Sequence, residues 1–504
     1  MLTIDCRQIV SCFVRRLRKR AEREWGCPYQ GKMARCNSSN EGASMRDSVL
    51  FTMAAAALFV LGGCALMPQT TSAGSADAYP PIVFVHGNGD TAALWHTTIW
   101  RFESNGWPRS RLHAIDVPYP NARDNDARPQ AGRSSTTEHA QFLADEVAAV
   151  RKSTGVAKVI LIGNSRGGYA IRNYVQNMGG DASVSHAILG GVPNYGVWSN
   201  DKRPNNEGSE FFGNGPFLKQ LNATKNPAGD EVIGPVKWLT LRSDNNDKYA
   251  QPDGAWLGLK GTPTGVTFDG PALRGATNIV LPARDHREVS FHPDAFAATW
   301  QFITGKAAPT PAITKEERVT LNGKIGALGI GGVGDFVTNV ALVGATVEVF
   351  SVNADGERVG AVVHRKTTAD DGLWGPFNAN PDEAYEFVIS APGYATTHIY
   401  RSPFPRSSNV IHMRPARVAN VDRDAAAVVT LTRPRGYFGL GRDVMSLDGK
   451  PLAGIVAGVA GGSTAKVSLS ADAGRAVVAE FNGERIVARA WPVAGNHVSL
   501  IELH

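Results

Sequence analysis

Lys158-Val159-Ile160-Leu161-Ile162-Gly163-Asn164-Ser165-Arg166-Gly167-Gly168-Tyr169-Ala170 is the stretch whose reading decides the fold. Four consecutive aliphatic residues, Val159 to Ile162, predict a parallel strand covered on both faces. Gly163 to Gly167 spell G-x-S-x-G, a turn tight enough to bring strand and helix backbones together and to strain its central residue. Tyr169 to Gln176 reads as helix. The pattern lifts the Ser165 hydroxyl clear of a sheet, at the positive end of a helix. On its own, the pattern also fits a glycine-rich turn with an idle serine. The functional reading requires an acid and then a histidine further along, in that order.

Upstream, Pro81 to Val85 is a second apolar run. It ends at His86-Gly87-Asn88-Gly89-Asp90, a glycine-rich turn suited to one backbone oxyanion donor. Asn88 is the first choice for that donor and Gly89 the second, with the N–H of Arg166 as the other donor. The His86 side chain is expected to shape the loop, and Trp95 and Trp100 to lie in a core. Leu112 to Val117 is a further strand, and 121–134 a polar loop. Ser135-x-x-Glu138 has the form of a capping box opening a helix to Lys152. Strands alternating with helices predict a doubly wound α/β domain.

Downstream, His186 to Gly191 is a strand. The insertion at 195–235 carries Trp198, Phe211, Phe212, Phe217 and Leu218. It reads equally as a lid over an apolar site or as an excursion whose aromatics pack inward. After the strand Val236 to Leu241, two aspartates compete for the acid, because reacting groups gather at the carboxyl ends of parallel strands. Asp247, five residues before Pro252, is favoured. Asp244 is the runner-up, with a turn-forming role as its alternative. After the strand Thr277 to Leu281 come Asp285 and His286. His286 is the candidate base, and His292 a helix-entry residue beside Pro293.

Taken together, V-F-V-H-G-N-G, G-N-S-R-G-G, N-D-K-Y-A-Q-P and R-D-H-R-E-V resemble an α/β-hydrolase lipase or esterase over about residues 79–305. Phe217 to Asn222 is similar to a lipase segment upstream of the acid. The resemblance implies a Ser165–His286–Asp247 triad, an ester or lipid substrate, and no metal or organic cofactor. Arg166 departs from it: lipases often carry a smaller or apolar residue there, and a cation at a helix N-terminus is unfavourable.

The net charge of +6 is concentrated at the front. Residues 1–44 hold nine Lys/Arg against four Asp/Glu, so the remainder is near neutral and no nucleic-acid partner is expected. All five cysteines lie at or before Cys64, so everything beyond it lacks disulfides and a thiol nucleophile. Val49 to Gly63 is a signal-peptide-like apolar run. It ends in Leu61-Gly62-Gly63-Cys64, which resembles the lipobox of bacterial lipoproteins and implies a lipid-anchored Cys64 on an exported protein. Cleavage after Ala76-Asp77-Ala78 is the alternative. The expected organisation has 1–44 as an unstructured or mis-called extension, with Met45 as the true start, 45–64 as signal peptide and 65–78 as tether. Residues 79–305 form the α/β domain and 306–312 a Pro/Ala linker letting the two halves fold separately.

Beyond the linker, short alternating strands between Gly, Asn and Pro turns predict an all-β region. Residues 313–415 resemble a transthyretin-like or carboxypeptidase-regulatory sandwich, and 416–504 read as a further β domain. Neither part shows a titratable constellation.

Overall fold

The computed structural model describes residues 79–201 and 207–504. The expectations for the extension, the signal peptide with Cys64 and the tether lie outside these residues.

Six strands form one wholly parallel sheet. Their spatial order is Leu112–Ile115, Ile82–Val85, Val159–Asn164, Val184–Gly190, Lys237–Ser243 and Thr277–Leu281. The registers Ile82↔Leu112 and Ile82↔Ile160 place the first strand between the second and the third. The chain thus reverses its direction of travel across the sheet between Ile82–Val85 and Val159–Asn164. Such a switch point opens a crevice at the strands' carboxyl ends. The loop at His86–Asp90 and the turn at Ser165 both leave from it.

Alternation along each strand explains the two helical layers. Ile82, Phe84, Ile160 and Ile162 face one core with Trp95, Phe102, Phe296 and Trp300. Val83, Val85, Val159 and Leu161 face the other, with Leu143, Val147, Ile171 and Val175. The helix Thr136–Thr154 opens on the expected capping box of Ser135 and Glu138, and Gly155 closes it in the left-handed conformation.

The second half is all β. Its main sheet has seven strands, in the order His364–Thr367, Thr346–Val352, Ala384–Ser390, Thr396–Arg401, His497–Glu502, Ala427–Thr432 and Thr464–Leu469. The boundary expected at 415/416 falls inside this sheet. The strand His497–Glu502 runs parallel to both neighbours, pairing Ile399 with Leu500 and Thr430 with Leu500. The two β segments therefore share one hydrogen-bonded layer.

The linker expectation also needs correcting. All described residues fall within one compact unit, Ser72–His504. Asn105, which caps the C-terminus of the helix His96–Ser104, accepts from the Thr310 N–H at 2.9 Å and donates to its carbonyl at 2.8 Å. Arg101 holds the Pro311 carbonyl at 3.0 Å. Trp100, on the same helix, is buried in the β core with Val347, Trp374 and Phe387, and its indole N–H donates to the Ser407 carbonyl at 2.9 Å. Composition suggested a free spacer, but these contacts fasten it along the α/β domain. A chain cut after Gly305 would leave Trp100 without its apolar cover.

Candidate active site

Ser165 sits at φ 51°, ψ −123°, a left-handed conformation that L residues rarely adopt. The turn is possible because a Cβ on Gly167 would lie 2.5 Å from the Val85 carbonyl oxygen, so only glycine lets the helix Arg166–Asn177 approach the first strand this closely. Gly87 makes the matching approach from the other loop: a Cβ there would lie 3.0 Å from the Ser165 Cβ. The glycine-rich loop thus lies directly against the nucleophile turn.

The N–H of Gly89 is already bonded to the Pro120 carbonyl at 3.3 Å, which favours Asn88 of the two expected donors. The Asn88 carboxamide oxygen accepts from Ala122 N–H at 2.7 Å and holds the loop. Arg166 is the first residue of its helix, where backbone N–H groups lack intrahelical partners.

His286 Nδ1 lies 2.8 Å from Asp247 Oδ2. The other Asp247 oxygen accepts from Tyr249 N–H at 2.8 Å, and Gln251 donates to the Asp247 carbonyl at 2.8 Å. The Tyr249 ring meets the imidazole edge-on, with centroids 4.6 Å apart. Asp244 is placed differently. It accepts from the Asn246 carboxamide at 2.8 Å and from Ala283 N–H at 2.9 Å, the bonds of a turn-forming aspartate. His292 caps the helix Pro293–Thr304 through Nδ1.

Ser165, His286 and Asn88 line one cavity of about 340 Å³. Its walls include Phe211, Tyr249, Leu257, Arg287 and Tyr437. A neighbouring cavity of about 350 Å³ shares Pro193 and Tyr249 but contains neither Ser165 nor His286.

Arg166 now has a physical account. It is fully buried and bidentate to Glu210, at 2.8 Å from each oxygen. Its remaining donors reach the Pro120 carbonyl, the Ser134 hydroxyl and the Ser134 carbonyl. The side chain turns away from the helix end and fastens the 195–235 insertion beneath the nucleophile turn. Within that insertion Trp198, Phe212 and Leu218 pack inward, whereas Phe211 and Phe217 are only partly buried and Phe211 lines the cavity of Ser165, so the segment both packs on the domain and covers the site. His86 is also a loop-shaping residue. Its Nε2 accepts from Val117 N–H at 3.1 Å, and burial pushes its proton affinity below the usual histidine range.

Sequence reasoning missed several residues. Asn164 donates to Ser290 Oγ at 2.8 Å and to the His286 carbonyl at 3.2 Å, tying the Ser165 turn to the His286 loop. Asn339, from the β half, donates to the Asp90 and Val117 carbonyls at 2.9 Å each, beside the glycine-rich loop His86–Asp90. Arg287 grips Asp90 through Nε and Nη2. Tyr437 enters the cavity wall from residues where no site chemistry was expected.

Comparisons with known proteins bear on the fold and on the class of enzyme. Residues 80–239 match the model of the alpha/beta hydrolase fold, and residues 317–418 that of the lipase C-terminal domain. No curated protein matches the chain. Among solved structures, the Bacillus licheniformis lipase BlEst2 in its propeptide form is 17% identical, covering 82% of this chain and 92% of that one, at a TM-score of 0.33. Aspergillus fumigatus lipase B is 15% identical at a TM-score of 0.32, covering 47% of this chain and only 54% of its own. A carboxylesterase of Bacillus subtilis, CesB, is 16% identical at 0.27, covering 45% of this chain and 85% of its own. Overlaps this loose carry no argument, and the assignment rests on the family models together with the fold. The chain is an α/β hydrolase of the lipase/esterase type with a lipase C-terminal domain attached.

Proposed function

We propose that the protein hydrolyses carboxylic esters through Ser165, His286 and Asp247, with acylglycerols or other long-chain esters as its main substrates. The observation that carries this reading is the 2.8 Å His286–Asp247 contact in a chain whose His286 shares a cavity with a strained Ser165. The Asp247 carboxylate accepts a hydrogen bond from Nδ1–H and so holds the tautomer whose bare Nε2 acts as the base. The Ser165 hydroxyl attacks the ester carbonyl carbon and passes its proton to Nε2. The N–H groups of Asn88 and Arg166 stabilise the tetrahedral oxyanion. Collapse breaks the bond to the alkoxy oxygen, which leaves as alcohol with the proton from His286. Water then hydrolyses the acyl-enzyme by the same route, releasing the acid and restoring Ser165.

A second reading, an esterase for polyester oligomers, is favoured by the charged side chains of Asp90, Arg123, Asp124, Arg133 and Arg287 in the cavity walls. A third, a surface-anchored lipid-binding protein with an inactive hydrolase domain, predicts no turnover at all. A chain-length series of chromogenic esters, run beside emulsified triacylglycerol and a soluble polyester oligomer, separates the three. Rates rising toward long acyl chains support the lipase. Turnover confined to short or oligomeric esters supports the second reading, and absence of turnover the third.

The protein is further proposed to be exported and anchored through a lipidated Cys64, on the strength of Leu61-Gly62-Gly63-Cys64. Mass spectrometry of the N-terminus from a bacterial host tests this. A soluble species beginning near Tyr79 contradicts it.

A further inference from the structure

Two carboxylates flank the base in sequence, Asp285 immediately before His286 and Glu288 two residues after it. Both are buried, Asp285 completely. One Asp285 oxygen accepts from the backbone N–H groups of Arg287 and Glu288 at 2.9 Å each. The other accepts from Arg433 at 3.1 Å and from Tyr437 N–H at 2.8 Å. Glu288 accepts from Arg433 at 2.5 Å through one oxygen and from Arg442 at 2.9 Å through the other. A buried pair of like charges is tolerable only when countercharge is supplied. Here it comes from Arg433 and Arg442, about 150 residues further on and beyond both matched family models.

Arg433 is itself braced. It donates to the Tyr437 carbonyl at 2.5 Å, and its guanidinium lies over the Phe481 ring at 4.5 Å. Among the described residues it is the side chain that hydrogen-bonds to both carboxylates, and so it ties together the two ends of the short segment that carries the imidazole; Arg442 spans the same pair more loosely, 3.5 Å from Asp285 and 2.9 Å from Glu288. Burial and the neighbouring Asp285 push the Glu288 carboxyl upward, and Arg433 and Arg442 oppose that rise.

We propose that Arg433 is a positioning residue for His286: by bridging Asp285 and Glu288 it fixes the base loop and balances the charge around the imidazole. The hydrolytic site is therefore completed by the C-terminal β segment. This rests on the assignment of His286 as the base. At the ring itself the other charged or titratable groups are Asp247 and Tyr249. Among the described residues nearby, Lys248 lies over the Tyr437 ring at 3.9 Å, Arg287 pairs with Asp90, and Arg442 pairs with Glu288 and Asp285.

The test uses the full chain and a soluble short ester, with kcat and KM measured across pH 5 to 9. Arg433→Gln leaves the two carboxylates short of one positive charge. That favours the imidazolium, so the acid limb of kcat/KM moves to higher pH, by about one unit for one charge removed from the carboxylate pair that flanks the base. kcat falls more than KM rises. Arg433→Lys keeps the charge but cannot bridge both carboxylates, so its acid limb stays near that of the parent while kcat falls. Glu288→Gln with Arg433→Gln removes a negative charge along with the positive one and brings the limb back. A folded Arg433→Gln protein whose acid limb stays at the parent pH overturns the proposal, whatever its turnover. If Arg433→Gln fails to fold, the lysine variant decides: parent-like kcat there overturns the bridging role. The triad assignment is separately judged by Ser165→Ala, whose inactivity stands even if Arg433 proves dispensable.

Discussion

The Asn164 carboxamide donates to the backbone carbonyl of His286 at 3.2 Å, so the residue before the proposed nucleophile holds the loop of the proposed base. The same nitrogen reaches Ser290 Oγ and the Gly190 carbonyl. One buried side chain thereby spans three segments that local sequence keeps apart. Asn164→Ala removes all three bonds; the Gly190 carbonyl keeps the Ser165 N–H, but the His286 carbonyl loses this buried donor, at a cost of about 1–3 kcal/mol. The expected result is a folded protein with turnover lowered at least tenfold and little change in KM. Steady-state kinetics beside a thermal melt check this, and a parent-like kcat contradicts it.

Asp247 and Asp244 are separated by function. Asp247→Asn replaces the acceptor at His286 Nδ1 with an amide that favours the wrong tautomer, and kcat is expected to fall about ten-thousandfold. Asp244→Asn disturbs only a turn and is expected to change kcat less than threefold. Kinetics on one soluble ester compare the two, and the reverse ranking would refute the assignment.

Arg166 and Glu210 form a pair with no exposed surface on the arginine and almost none on the glutamate. Removing one partner strands a buried charge, at a cost of about 3–5 kcal/mol, whereas replacing both with apolar residues of similar volume is often nearly neutral. Glu210→Gln and Arg166→Met are each expected to lower Tm sharply. The double variant Arg166→Met with Glu210→Met recovers much of the loss. Equal and additive losses in the double variant would mean the two charges do not depend on each other.

Asp116 joins the two halves. Burial opposes its ionisation, but His412 at 2.7 Å and Lys324 at 3.2 Å outweigh burial and hold the carboxyl far below its usual range. A carboxyl depressed in the folded state stabilises the fold fully above its unfolded value of about 3.9, and this contribution is lost as pH falls below that value. Asp116→Asn is therefore expected to melt lower than the parent at pH 7, with the gap narrowing as pH drops from about 4 toward 3. Melts across pH 3 to 7 measure the gap. A constant gap contradicts the linkage.

The sequence made legible what local pattern encodes. Val159 to Gly167 shows its strand, turn and helix within a dozen residues, and Asp247 and His286 follow strands whose apolar runs are plain. The acid turn is legible too, because Tyr249 and Gln251 hold Asp247 from two and four residues away. What stayed hidden depends on distant partners. Arg166 looked misplaced because Glu210, its counterion, lies 44 residues on in a glycine-rich insertion. Arg433, Tyr437 and Asn339 sit in strands and turns whose sequence records only alternation, and their destination is set by how the β half packs on the helix His96–Ser104. The Pro/Ala composition of 306–312 describes backbone stiffness, not the bonds that Asn105 and Arg101 make to it.

The central claim is that Ser165 is the nucleophile of an acyl-transfer reaction based on His286. Covalent labelling by a serine-directed phosphonate, read by intact mass and peptide mapping, tests it most directly. The account predicts one adduct per chain, on Ser165, formed in step with loss of esterase activity and absent from a folded Ser165→Ala protein. Esterase activity that survives in Ser165→Ala, or an adduct mapped to another residue as activity is lost, would contradict it.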